Sequence, residues 1–358
     1  MNHKVYAMKE ISKVKAYLKN SLASIILEKH ILSYLHYPLI ANLNYSFQDK
    51  EYLYLVLDYF PGGDLRYHKN INFTENQIKF FISNILLSLN YIHSMNIIHR
   101  DLKPENLIFD GRGYLYLTDF GIAKKVKKGK PIICGSGTPG YLPPEIFLKK
   151  PQSFASDFFS VGVICYELIF KKRPFRGKNK KEIGENMLYK IIKLTQEKMP
   201  SGFSSDVADF INKLLKRNQR ERLGYKSIDE IKNHKWLQDV DWHSIENKMV
   251  ESDNIPFTPV VGDNFDYDYV NQKDNYNLDN YDEYLKQINQ SELFKNFYFN
   301  YYSVSLLYNK KIINSMVSNG KKTNSRTKSD GLFASDETLE NNEKSIIIIK
   351  NSSNDLDI

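Results

Sequence analysis

The segment His99-Arg100-Asp101-Leu102-Lys103-Pro104-Glu105-Asn106 sets a carboxylate, a cation and an amide at short, fixed spacing. That set suits phosphoryl transfer to a hydroxyl. The reaction needs a carboxylate beside the nucleophile, positive charge for the moving group and hard oxygen ligands for magnesium. Asp101 is expected to orient the hydroxyl and accept its proton. Lys103 can reach the transferred group from the same loop, and Asn106 can offer a carbonyl oxygen to Mg²⁺. Asp119-Phe120-Gly121 follows shortly, a carboxylate on a turn loosened by glycine, suited to chelate the metal that bridges nucleotide phosphates. By itself such a tripeptide reads as an ordinary Asp–Gly turn. Its place shortly after the Asp101 loop makes the two segments halves of one site.

The surrounding elements are legible from periodicity and punctuation. Val5–Lys9 has strand composition, and Asn20–Tyr37 carries Leu22, Ile25, Ile26, Ile31, Leu32 and Leu35 at helical spacing until Pro38. Leu43–Phe47 and Tyr52–Tyr59 read as strands around the polar turn Gln48-Asp49-Lys50, and Pro61-Gly62-Gly63 reads as a hinge. Thr74-Glu75-Asn76-Gln77 forms a capping box ahead of a helix to about His93. Short strands are expected at Leu107–Phe109 and Tyr114–Leu117, and helices at Ser156–Lys171, Lys180–Lys193, Asp206–Lys216 and Ile228–Asn233. The sum is a two-lobed α+β fold with a strand-rich small lobe and a larger helical one. From Gln238 on, Asp, Asn and Tyr dominate as in an extended tail; beyond Met316 the composition predicts disorder.

Composition agrees with a globular chain: of 358 residues, 42% are apolar and 26% charged. Lys plus Arg total 50 against 42 acidic residues, an excess of +8 that is too modest to argue for nucleic acid, and no nucleic-acid partner is expected. Part of that excess is the run Lys124–Lys130, read as solvated. Two cysteines, Cys134 and Cys165, match no disulfide or metal spacing and fit a reducing compartment. No apolar run approaches the ~20 residues of a membrane span, and Met1-Asn2-His3-Lys4 lacks a signal sequence. The expected location is cytoplasmic or nuclear.

The catalytic loop and the Asp-Phe-Gly segment together resemble the protein kinase superfamily. The resemblance covers roughly Val5–Trp236 and, more loosely, the tail to Ser303. It implies ATP and Mg²⁺ as cofactors and protein substrates bearing Ser or Thr. Lys9 matches the strand lysine that holds the α- and β-phosphates, and Glu28 its helix partner. Asp58 and Phe60 match the hinge that meets adenine, with Leu57 as gatekeeper; Ala7 and Ile108 would sandwich the ring, and Asp64 also falls in the nucleotide set. Glu145 in Pro143-Pro144-Glu145 matches a residue usually ion-paired with the one matched here by Arg222. Asp157 matches the carboxylate that anchors the catalytic loop. Lys103 and Thr138 match the pair lining the hydroxyl's approach in Ser/Thr kinases. Arg100 matches the arginine that ordinarily meets an activation-loop phosphate; it is expected either to meet phosphorylated Ser136 or to be satisfied otherwise.

Within the superfamily the chain is similar to the AGC group, the relatives of cyclic-nucleotide-dependent kinases. The carriers are Asn233-His234-Lys235-Trp236, Asp241-Trp242, Pro256-Phe257-Thr258-Pro259, Asn264-Phe265-Asp266-Tyr267 and the aromatic run Phe294–Phe299. Asp64, Glu105 and Glu167 match acidic positions that meet substrate arginines, so basic flanks are expected around the target hydroxyl. The implied organisation is a partial small lobe at 1–59, a large lobe at 60–237, an AGC-like extension at 238–303 and a disordered tail at 304–358. Departures are specific. No Gly-x-Gly-x-x-Gly precedes Lys9, so the small lobe is expected to lack its first two strands and the glycine-rich loop. Gly140 stands where cyclic-nucleotide-dependent kinases place Glu, and Tyr298 occupies the usual Ser/Thr phosphosite of the terminal hydrophobic motif. The missing loop is the ground for the rival reading, a pseudokinase or scaffold; the intact Lys9, Glu28, Asp101, Asn106 and Asp119 set opposes it. A small-molecule kinase is disfavoured by the Pro143-Pro144-Glu145 segment and the helices beyond it. Whether a regulatory subunit exists is left open by the sequence.

Overall fold

A computed structural model describes residues 4–127, 129–133, 135–261, 280–290 and 293–301, and the backbone of 346–348. Contacts divide the chain into two compact units, one of residues 1–20, 43–59 and 278–351, the other of 21–42, 60–277 and 352–358. Residues 21–42 therefore cluster with the helical unit rather than with 1–20. Residues 281–301 cluster with the strand-rich unit, while 238–261 cluster with the helical one.

The first unit is built on a sheet of β1 (Tyr6–Ser12), β2 (Leu43–Gln48), β3 (Tyr52–Asp58), β8 (Phe299–Asn300) and β9 (Ile346–Ile348), in the order β8-β2-β3-β1-β9. β1 runs antiparallel to β3, with Ala7 opposite Leu57 and Lys9 opposite Leu55. Strand alternation places Tyr6 and Met8 on one face, where they form an apolar cluster with Val56. Ala7 and Lys9 share the other face. α1 (Lys13–Leu18), absent from the sequence reading, is too short to show periodicity and is capped by the Ser12 side chain, which accepts from Lys15 N at 3.3 Å. Lys13, only 2% exposed, donates to the Asp49 carbonyl (2.8 Å) and Asn289 Oδ1 (2.9 Å). Asn289 lies on α10 (Tyr281–Gln290). Phe294 and Phe297 are buried, and the Phe297 carbonyl accepts from Ser46 Oγ at 2.5 Å. Phe294, Phe297 and Phe299 of the aromatic run are thus packed in this unit, whereas Tyr298 is 70% exposed. β9 is a strand inside the stretch expected to be disordered; it lies parallel to β1. The remainder of 304–358 and Asn264–Tyr267 lie outside the described residues.

The second unit centres on α3 (Glu75–Ser94) and α5 (Ala155–Phe170), both largely buried. α3 begins on the expected capping box: Thr74 Oγ1 accepts from Gln77 N at 3.3 Å, and Gln77 Oε1 accepts from Thr74 N at 2.8 Å. α2 (Leu22–Leu32) stops before Pro38, and the chain beyond it joins this unit, with Leu117 N donating to the Leu39 carbonyl at 3.0 Å. Two small antiparallel ladders frame the catalytic segments: β4 (Ile97–Ile98) with β7 (Lys124–Lys125), and β5 (Leu107–Phe109) with β6 (Leu115–Leu117). Further helices follow: α4 (Pro144–Phe147), α6 (Lys180–Tyr189), α7 (Ser205–Leu214), α8 (Ile228–Lys232) and α9 (Trp242–Glu246). Glu145 and Arg222, 3% and 1% exposed, form a two-pronged ion pair at 2.9 Å on each prong, and Arg222 also donates to the Ala155 carbonyl at 2.8 Å.

Candidate active site

In the second unit the loop after β4 is pinned from behind. Asp157, on the first turn of α5 and 1% exposed, accepts from His99 N and Arg100 N at 2.9 Å each and meets His93 Nε2 at 2.8 Å. Burial alone would raise its carboxyl, but the His93 hydrogen bond and charge, with His99 and the Arg100 amide, hold it below the ordinary range. This grip fixes Arg100 in a left-handed conformation (φ 74°) and so aims the residues that follow.

Asp101 is the centre of the cluster. Its Oδ1 accepts from Thr138 N at 3.0 Å and from Thr138 Oγ1 at 2.8 Å, and its Oδ2 lies 2.9 Å from Lys103 Nζ. Lys103 also donates to Thr138 Oγ1 at 3.2 Å. Burial pulls the Lys103 ammonium down, but Asp101 first, then Asp119 and Glu105, raise it above its usual value, so it stays charged. Asn106 gives its amide nitrogen to the Asp101 carbonyl (2.9 Å) and to Oδ2 (3.3 Å), which leaves its carbonyl oxygen as the end suited to a cation. Asp119 also has positive φ (62°), and its Oδ1 accepts from Gly121 N at 3.2 Å. Glu28, 3% exposed on α2, brings Oε2 to within 3.8 Å of where a Cβ on Gly121 would stand. Four sequence-predicted groups, Asp101, Lys103, Asn106 and Thr138, are thus brought together, with Glu28 beside the Asp119 turn.

The other predicted residues are placed as follows. Lys9, Ala7, Leu57 and Asp58 belong to the first unit; Ala7 and Leu57 are cross-strand partners, and Asp58 Oδ1 accepts from Asn44 Nδ2 at 3.0 Å. In the second unit Phe60 stacks on Tyr116 with centroids 3.8 Å apart, and Asp64 bridges Ile108 through the backbone. Asp64 Oδ1 accepts from Tyr67 N at 2.7 Å; burial first, and Glu105 after it, push its carboxyl up to about 6 against the Tyr67 and Arg66 amides. Arg100 is 6% exposed, and its Nε has no hydrogen-bond partner among the described residues. Ser136 is half-buried in the activation segment.

Magnesium fits this donor set. Asn106 and Asp119 offer the hard oxygens it takes alongside phosphate. Among the described residues no group of three or more His, Cys, Asp or Glu gathers to hold a metal unaided.

A family model for the protein kinase domain matches residues 1–237. The chain belongs to the protein kinase domain family. A probable serine/threonine-protein kinase of Dictyostelium discoideum is 37% identical over 273 residues, 75% of this chain and 59% of the relative. The serine/threonine-protein kinase sgk-1 of Caenorhabditis elegans is 36% identical over 275 residues, 75% of this chain and 58% of that one. The cAMP-dependent protein kinase catalytic subunit of Dictyostelium discoideum is 35% identical over 282 residues, 78% of this chain and 41% of the subunit. The chain spans 59% and 58% of the length of the first two relatives. The expected likeness to AGC kinases is borne out by these relatives. Among the described residues no helix is long and apolar enough to cross a membrane.

Sequence reasoning passed over Arg66, which the structure places on Glu105 and Glu167 (2.8 and 3.1 Å). The available signal was a cation two residues beyond Asp64, in a segment already assigned to ligand recognition.

Proposed function

We propose that this chain is a protein serine/threonine kinase that moves the γ-phosphoryl group of Mg-ATP to a Ser or Thr hydroxyl of a protein substrate. The observation that carries the reading is the Asp101 carboxylate, held on one oxygen by Thr138 and on the other by Lys103. Asp101 orients the substrate hydroxyl and takes its proton as the new oxygen–phosphorus bond forms and the bond to the departing ADP oxygen breaks. Lys103 faces the charge carried by the transferred group, and Thr138 keeps Asp101 aimed. Asn106 and Asp119 would hold magnesium, which when bound neutralises phosphate charge. Lys9 is assigned to the α- and β-phosphates with Glu28 as its partner. Ala7, Leu57, Asp58, Phe60, Asp64 and Ile108 are assigned to the nucleotide. Asp64, Glu105 and Glu167 are assigned to the substrate groove, and any preference for basic flanks is assigned to Asp64, since Arg66 already meets the other two. Ser136, once phosphorylated, is the proposed partner of Arg100.

The test is to incubate the chain with γ-labelled ATP, Mg²⁺ and a peptide mixture containing Ser, Thr and Tyr, then identify the labelled amino acid. The reading expects label on Ser or Thr with one ADP formed per phosphate transferred. ADP without labelled peptide, or label confined to Tyr, contradicts it.

A further inference from the structure

Two of the carboxylates assigned to substrate arginine, Glu105 and Glu167, are already paired within the chain. Arg66 donates through Nε to Glu105 Oε1 at 2.8 Å and through Nη1 to Glu167 Oε1 at 3.1 Å. Its third nitrogen, Nη2, donates to the Tyr141 hydroxyl, and that hydroxyl donates onward to Glu167 Oε2 at 2.5 Å. All three edges of the guanidinium fork are therefore engaged by acceptors on three separate segments: the turn after Asp101, the start of the Tyr141 segment and α5. A guanidinium in that geometry is what a substrate arginine would otherwise supply.

The turn that carries Arg66 is itself fixed, since Asp64 Oδ1 accepts from Tyr67 N at 2.7 Å. A second cation reinforces the pattern. A Cβ on Gly140 would stand 1.8 Å from Arg173 Nη1, so Arg173 fills the space a side chain at 140 would need. Its guanidinium carbon also lies 5.6 Å from the Tyr141 ring centroid. Where cyclic-nucleotide-dependent kinases are expected to offer another acid, this chain thus presents an arginine.

We propose that Arg66 is a specificity-determining residue: it occupies the Glu105–Glu167 pair in cis, so the chain selects substrates that carry no arginine at that subsite. The inference rests on reading this groove as the peptide-binding part of a kinase. Glu105 and Glu167 without Arg66 present two negative charges; with it they present one, already hydrogen-bonded. A tethered group competes at a local concentration on the order of millimolar, which a micromolar peptide cannot match. Arg66 is 29% exposed, so solvent screens part of its pairing and the effect is graded rather than absolute.

The experiment measures binding, not transfer. A serine peptide set moves a single arginine through each residue N-terminal to the serine, with alanine as reference, and anisotropy gives affinities for the full chain, Arg66→Ala and Arg66→Gln. The expected result is one position where the intact chain barely distinguishes arginine from alanine and Arg66→Ala favours arginine about tenfold, Arg66→Gln doing so less strongly. Adding Glu167→Gln to Arg66→Ala should erase that gain. The same arginine profile in the intact chain and both variants, or a gain that survives Glu167→Gln, overturns the proposal. Melting curves identify a variant that fails to fold, and Arg66→Gln then carries the comparison. Because no phosphate need move, a chain that binds as expected but transfers nothing would refute the proposed reaction and leave the role of Arg66 standing.

Discussion

Asp157 is the structural hinge-pin of the catalytic loop, and Asp157→Ala is the perturbation that isolates it. The substitution strips two buried backbone donors, His99 N and Arg100 N, of their acceptor at 2.9 Å and removes the partner of His93. At about 1–3 kcal/mol for each buried donor left unmade, the expected loss is roughly 2–6 kcal/mol, a large share of the ~5–15 kcal/mol that holds a domain together. The left-handed Arg100 (φ 74°) is no longer compensated, so Asp101 loses its aim and turnover falls along with stability. Asp157→Asn keeps the shape but offers one acceptor and an opposing donor, and should lose about half as much. The sign with pH follows from the lowered carboxyl: its stabilisation is complete above the ordinary Asp range and disappears as pH falls through the folded-state value. The intact chain should therefore lose stability toward acid, with a flatter acid limb in Asp157→Asn. Urea denaturation followed by the fluorescence of buried Trp236 measures all three proteins. An Asp157→Ala midpoint shifted by less than about 0.5 kcal/mol, or normal turnover in a folded Asp157→Ala, would refute the reasoning.

Three further outcomes are expected. Arg222→Ala leaves Glu145 as an unpaired buried charge and should cost about 3–5 kcal/mol in urea denaturation; a change under ~1 kcal/mol would contradict the ion pair's role. Phe297→Ala opens a cavity where a 3% exposed ring packs, and should weaken the first unit by about 3 kcal/mol, read as faster hydrogen exchange in β2; unaltered exchange there would contradict it. Asp64, raised to about 6, is charged above that pH and neutral below it, so any arginine preference it supports should shrink between pH 7 and pH 5 in peptide-binding assays. The same raised carboxyl adds stability that is present below the ordinary Asp range and lost as pH rises through about 6; a pH-independent preference would contradict its assignment.

The site was more legible in the sequence than the way its parts are braced. Asp101, Lys103 and Asn106 lie within six residues of one another, so local spacing alone predicted their convergence. Thr138 joins them across 37 residues, and only family resemblance pointed to it. The long helices α3 and α5 announced themselves through apolar periodicity, and α3 through a capping box whose two hydrogen bonds form as expected. α1 escaped because six residues give too few turns to show a period. α10 escaped because its polar composition gives it only two buried residues, Leu285 and Ile288. Arg66 was missed for a different reason. A cation's partners depend on which segments the fold brings within reach, and Glu105 and Glu167 stand 39 and 101 residues away in sequence.

The role of Asp101 as base is tested most directly by the rate of phosphoryl transfer by Asp101→Asn beside the intact chain. Both are assayed with Mg-ATP and the same Ser/Thr peptide after matching melting curves establish that both are folded. Asn preserves the size of the side chain and an acceptor for Thr138, but it cannot take the hydroxyl proton. Turnover of Asp101→Asn should be at least ~10²-fold lower with the fold intact. A folded Asp101→Asn that phosphorylates the peptide within about threefold of the intact chain would contradict the assignment of Asp101 as the base.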